Sequence, residues 1–184
     1  SVRYELANGT LGNKTLVTTI MSNAGLDVAI KQAGGKIIRT DVGDKNVIDA
    51  MLKKEINLGG EESGHLIFGD HASTGDGLVA ALQVLATMKE KDAKLSDLRK
   101  CWTRFPRKVA NIRVKEKPPF EKLDGIVELV KSAEKDLKPS GGRVLLRYSG
   151  TEPKVRLLIE SSDKKLIDKW AKKITEAMQA QIGA

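Results

Sequence analysis

Two short stretches hold residue types that could bind a polar ligand. In RYSGTEPKVRLLIE, residues 147 to 160, an Arg, a Ser-Gly-Thr turn and a second Arg lie between two apolar runs. At the two-residue period of a strand, Val144, Leu146 and Tyr148 face one way and Arg143, Leu145 and Arg147 the other. After the turn, Val155, Leu157 and Ile159 share one face and Lys154, Arg156 and Leu158 the opposite one. Arg147 and Arg156 are therefore expected at neighbouring mouths of one loop, with the hydroxyls of Ser149 and Thr151 between them. Gly150 permits a backbone in which successive N–H groups converge on an anion, and the planar fork of Arg suits phosphate better than Lys does. Ser-Gly-Thr and Glu-Pro are also plain turn chemistry, so residue types alone leave both a phosphate socket and a simple hairpin open.

The second stretch is GGEESGH, residues 59 to 65. Its carboxylates, hydroxyl and imidazole on a glycine-hinged loop suit adjacent sugar hydroxyls, because an ionised carboxylate accepts from two donors at once. A metal held by Glu61, Glu62, His65 and His71 is an alternative, but the spacing fits no compact ligand pattern; an exposed acidic turn is the plain one. Asp76, between two glycines, is explained by capping a helix. Lys45 begins a helix, where the dipole does not favour a cation, so a task near a ligand is open to it.

The elements that must carry these loops follow from periodicity. KTLVTTIM (14–21) reads as a strand, and Ser22 or Asn23 caps a helix that stops at Gly34 and Gly35. KIIRTDV (36–42) is a second strand. Residues 43–56 place Val47, Ile48, Met51, Leu52 and Ile56 at helical spacing. The acidic loop then precedes a short apolar strand, and residues 73–92 form a helix with an expected apolar face of Leu78, Val79, Leu82, Leu85 and Ala86. A short helix over KLSDLRKCW ends this α/β part. A boundary is expected at TRFPRK, dividing the chain into 1–105 and 106–184. The second part reads as strand 107–114, amphipathic helix 120–137, two strands around the opening turn, and a helix from about Asp163 to Ala180. That is a small α+β domain with an antiparallel sheet and two helices.

Composition narrows the partners. The net charge of +8 is uneven: 14 Lys+Arg against 13 Asp+Glu in residues 1–105, but 18 against 11 in residues 106–184. The second part is the natural home of an anion. Its aromatics are only Phe120, Tyr148 and Trp170, thin material for stacking nucleic-acid bases. No membrane partner is expected, since no apolar run approaches the roughly 20 residues of a membrane span. One cysteine, Cys101, suits a reducing compartment such as the cytoplasm and a buried or half-buried packing role. The opening SVRYELANGT reads as the end of a strand entering a turn, the start of a piece of something longer.

In order, GGEESGH, TGDGLVAAL and RYSGTEPKVRLLIE, with a domain boundary between the second and third, resemble the α-D-phosphohexomutase superfamily. LVTTIMSNAGL and VGDKNVIDAM are similar to its phosphoglucosamine mutase branch. Glu62, Tyr148 and Lys45-Asn46 depart from that branch, which usually has Gln, Pro and Arg-Tyr there. The resemblance maps the chain onto the third and fourth of four domains, with the tail of the second at its start.

The resemblance implies reversible phosphoryl transfer between O6 and O1 of a hexosamine, through a 1,6-bisphosphate that turns around in the site, on the way to amino-sugar nucleotides and cell-wall precursors. It implies a sugar-binding loop at Glu61, Ser63 and His65, a phosphate-binding loop at Arg147, Ser149, Gly150, Thr151 and Arg156, and Lys45 as a candidate substrate neighbour. A two-point hold on sugar and distal phosphate would let either end be presented for reaction. It also implies a bacterial, cytoplasmic phosphoprotein that uses Mg2+ and glucose or glucosamine 1,6-bisphosphate, with room for a homodimer. The phosphoryl-carrying serine and the DGDGDR-type metal loop belong to the first and second domains. Neither motif occurs here, so no catalytic residue or metal ligand is expected in this chain, and alone it is expected to be inactive. The rival readings are a phosphoglucomutase or phosphomannomutase of the same superfamily, a phosphosugar sensor and a nucleic-acid-binding module.

Overall fold

The β-branched run Thr15–Thr19 forms strand β1, buried at every position, as befits a strand at the centre of a sheet. The computed structural model describes residues 1–184 and divides into two compact units, Ser1–Thr103 and Arg104–Ala184.

In the first unit, β1 pairs in parallel with β2 (Lys36–Thr40) and β3 (Leu58–Gly60), and β4 (Leu66–Phe68) closes the sheet antiparallel to β3. The order β2-β1-β3-β4 needs helices as crossovers between the parallel strands. These are α2 (Gly25–Gln32) and α3 (Asp44–Lys53). Adjacent residues on a strand point to opposite faces, so two apolar layers result. Leu11, Leu16, Ile30, Leu58 and Phe68 lie on one side, and Val17, Val47, Met51, Ile56 and Ile67 on the other. Gly59 allows α3 to approach: a Cβ there would sit 2.7 Å from Val47 Cγ1 and press on Met51 Sδ.

Several sequence expectations are corrected in this unit. The opening residues are not a strand end but helix α1 (Val2–Asn8), ended by Gly9 in the left-handed conformation. Val2 and Leu6, one turn apart, pack on the first apolar layer. In α3, Leu52 is 73% exposed and does not belong to the apolar face, while Ile56 is buried beyond the helix end. Helix α4 (Gly77–Glu90) starts as expected, with Asp76 accepting from the N–H groups of Leu78 and Val79 at 2.8 and 3.0 Å. Its inward stripe, however, is Val79, Ala80, Gln83, Val84, Thr87 and Met88. Leu78, Leu82 and Leu85 face out, at 79%, 64% and 56% exposure. Both stripes have helical spacing, so periodicity alone could not choose between them. Cys101 follows α5 (Leu95–Leu98) and is exposed rather than packed.

The second unit is a three-stranded antiparallel sheet, β5 (Arg107–Arg113), β7 (Lys154–Glu160) and β6 (Arg143–Tyr148), with β7 in the middle. Helices α6 (Ile126–Leu137) and α7 (Lys164–Ile182) bring Ile126, Ala133, Leu137, Ile167, Trp170, Ile174 and Met178 into one core with Val155, Leu157 and Ile159. The fold is thus a mixed α/β unit followed by a small α+β unit. The helix expected from residue 120 begins only at Ile126, because Gly125 takes a left-handed conformation and Phe120–Lys122 form a separate 3-10 turn. Helix α7 is capped by Asp163.

Candidate functional site

The β6–β7 hairpin carries the first candidate site. Val144, Leu146 and Tyr148 join the core side, which leaves Arg147 on the other face, directly opposite Arg156. The loop is closed by the N–H of Ser149 donating to the Lys154 carbonyl at 2.8 Å. Ser149 is buried, and its hydroxyl oxygen accepts from the Glu152 N–H at 3.4 Å. The N–H groups of Gly150 and Thr151 donate to nothing in the chain. Gly150 stays out of the left-handed region, contrary to the special conformation its type allows. A Cβ there would meet no atom, so its role is an open approach to the backbone.

The charges around this turn are unequal. Glu152 accepts from Lys154 Nζ at 2.5 Å and from Arg156 Nη2 at 3.0 Å. The Lys154 bond first, and then that to Arg156, hold its carboxyl below the usual range. Arg147 has no hydrogen bond or acidic partner within the chain, and the Nε of Arg156 is buried without an acceptor. The five residues expected to hold a phosphate are thus brought together with donor capacity left over.

Sequence reasoning missed Lys117, whose Nζ donates to the Ser149 carbonyl at 2.6 Å. Its stretch, EKPP, reads only as a break in pattern. Tyr148 turns to the core side: its hydroxyl donates to the Pro118 carbonyl at 2.6 Å and its ring stacks on Phe120 at 4.5 Å. Burial, with Glu116 nearby, pushes its phenol above the usual value.

In the first unit, the loops that follow the parallel strands lie at the sheet's carboxyl edge, where open α/β sheets present ligand sites. Residues 61–65 link β3 and β4, closed by the Glu61 N–H donating to the His65 carbonyl at 2.9 Å. Ser63 Oγ and His65 Nδ1 are 2.9 Å apart. Glu61 Oε1 accepts from the Gly43 N–H at 2.9 Å and so ties this loop to the start of α3, whose first turn holds Lys45. Lys45 is exposed. The loop after β1 is held by Arg39, which donates at 2.8 Å to the carbonyls of both Thr19 and Ser22. No three His, Cys, Asp or Glu side chains come together as a metal-holding group.

The phosphoglucomutase/phosphomannomutase α/β/α domain III matches residues 1–105, and the C-terminal domain of the same family matches residues 110–177. The chain belongs to the phosphoglucomutase/phosphomannomutase family. Among family members, phosphoglucosamine mutase from Geotalea daltonii is 47% identical over 178 residues, covering 97% of this chain and 39% of the relative. That from Geobacter metallireducens is 48% identical over 173 residues, covering 94% and 38%. The chain therefore spans about two-fifths of the length of these curated relatives. Among solved structures, N-acetylphosphoglucosamine mutase from Aspergillus fumigatus superposes with a TM-score of 0.77 at 19% identity, over 97% of this chain and 42% of that one. Structures of that enzyme include a complex with GlcNAc-6P and magnesium. A phosphomannomutase from Thermus thermophilus, described as putative, gives a TM-score of 0.56 at 21% identity, over 94% and 38%. These two likenesses show the shared fold.

Proposed function

We propose that this chain is the substrate-binding portion of a phosphosugar mutase that interconverts glucosamine 6-phosphate and glucosamine 1-phosphate through a 1,6-bisphosphate. The observation that carries the reading is Arg147: in register with Arg156, beside two unbonded N–H groups, and without an acid. Such a set of donors suits an anion with several acceptor oxygens, as a phosphate monoester has. In this reading Arg147, Ser149, Gly150, Thr151 and Arg156 take the non-reacting phosphate. Glu61, Ser63 and His65 accept from and donate to sugar hydroxyls, and Lys45 neighbours the substrate. The choice of hexosamine is supported by relatives named phosphoglucosamine mutase at 47% and 48% identity.

The reaction needs a phosphoryl acceptor and a metal. In this reading both lie in the part of the enzyme outside this chain, where the resemblance puts the serine and the metal loop. What these residues contribute is positioning and charge neutralisation, the larger part of phosphoryl-transfer catalysis. The test is steady-state kinetics of the complete enzyme on a panel of hexose and hexosamine phosphates. Preference for glucosamine phosphates, lost with Glu61→Ala, supports the reading. Equal use of glucose and mannose phosphates would move it to the phosphoglucomutase/phosphomannomutase alternative.

A further inference from the structure

Lys117 lies 32 residues before Ser149 in the chain and donates to its carbonyl oxygen at 2.6 Å. In a trans peptide the C=O and the following N–H share one plane and point in opposite directions. Holding the Ser149 oxygen on the Lys117 side therefore turns the Gly150 N–H to the other side. That N–H and the next, on Thr151, have no acceptor in the chain, whereas the Glu152 N–H turns back onto Ser149 Oγ. Two consecutive donors are thus left pointing away from the protein's own carbonyls.

The segment carrying Lys117 is itself fastened to the hairpin. The Val114 N–H donates to the Pro153 carbonyl at 3.0 Å on one side of it. On the other, Tyr148 donates to the Pro118 carbonyl at 2.6 Å and stacks on Phe120 with the rings 8° from parallel. The strap that presents Lys117 is therefore positioned by the strands that present Arg147 and Arg156.

We propose that Lys117 is a positioning residue of the anion loop: it fixes the Ser149–Gly150 peptide so that the Gly150 N–H meets a phosphate group on the face away from the ammonium. The proposal rests on the phosphate reading of the hairpin given above. Preorganised backbone donors need no rearrangement when the anion arrives. A free lysine on a flexible stem would contribute only a screened point charge.

The test titrates the 184-residue chain with inorganic phosphate and follows the Gly150 and Thr151 amide resonances in nitrogen-15 spectra, for wild type, Lys117→Met, Lys117→Arg and Arg147→Ala. Both amides are expected to move with phosphate in the wild type. Lys117→Met is expected to shift the Gly150 amide before any phosphate is added and to weaken phosphate binding about tenfold, the scale of one charge-assisted hydrogen bond. Lys117→Arg should restore both. If Lys117→Met leaves the free Gly150 amide and the affinity unchanged while Arg147→Ala weakens binding, the role of Lys117 is refuted and the phosphate site stands. If phosphate moves neither amide and Arg147→Ala changes nothing, the phosphate reading falls and this inference with it.

Discussion

Arg147 on β6 and Arg156 on β7 are direct cross-strand partners, and only Arg156 has a carboxylate, Glu152 at 3.0 Å. Like charges directly opposite each other destabilise a sheet, so an anion arriving between them relieves a repulsion as well as making bonds. Arg147→Ala in the complete enzyme should therefore raise KM for the sugar phosphate about 10- to 100-fold, one or two charge-assisted bonds' worth. Arg147→Lys should recover only part of this, because an ammonium cannot form the two parallel bonds of the guanidinium. Unchanged KM and kcat in Arg147→Ala would remove the site.

Glu152 orders the same turn through Lys154 and Arg156, and those two bonds lower its carboxyl from the ordinary value of 4.5. A carboxylate lowered on folding binds fewer protons folded than unfolded, so its stabilisation is present above the ordinary value and is lost as pH falls through the lowered one. Glu152→Gln should accordingly melt below the wild type at neutral pH, and the gap should close on acidification. The side chain is solvent-exposed enough that added salt should shrink the gap too. Parallel melting curves across the acid range would contradict this.

Glu61 serves two ends. Its Oε1 accepts from the Gly43 N–H at the start of α3, and its loop carries Ser63 and His65. Glu61→Ala should lose the bond to an orphan helix-start donor, costing about 1 kcal/mol, together with discrimination between hexose and hexosamine phosphates. Glu61→Gln keeps an acceptor oxygen for Gly43 but not the charge, and should keep the stability while losing selectivity. Denaturant unfolding and KM on the substrate panel separate the two effects; a Gln variant with full selectivity would rule out the ionised carboxylate as the sugar contact.

What the sequence revealed follows how local each signal was. Strand alternation placed Arg147 and Arg156 on one face because Val155, Leu157 and Ile159 leave no doubt about the other. The Asp76 cap was legible for the same reason, since its partners are two and three residues on. The outward leucines of α4 were not, because the helix is apolar on both stripes. Nor was Lys117, whose single partner depends on how the 3-10 turn and β6 meet. Gly59 and Gly60 read as loop residues yet form part of β3, because Met51 and Val47 close over a strand with no side chain.

That close approach is testable at Gly59. A Cβ there falls 2.7 Å from Val47 Cγ1 and onto Met51 Sδ, inside a fully buried strand. Overpacking of this kind costs about 1–3 kcal/mol. Gly59→Ala should lower the denaturation midpoint of the first unit, and its penalty should be smaller when measured in a Met51→Ala background than in the wild type if the clash is the cause. A single variant as stable as wild type would show that α3 shifts freely.

The chain by itself should bind a phosphosugar weakly and not turn it over. Its hairpin offers donors to a phosphate, but transfer needs a nucleophile to receive the phosphoryl group and a cation to neutralise the developing charge. The resemblance puts the serine and the metal loop outside these residues. Glucosamine 6-phosphate incubated with magnesium, glucose 1,6-bisphosphate and the verified 184-residue chain should yield no glucosamine 1-phosphate above a blank. The complete enzyme under the same conditions should yield it. Turnover by the isolated chain that disappears with Arg147→Ala would place a phosphoryl acceptor within these residues and overturn the division of labour proposed for them.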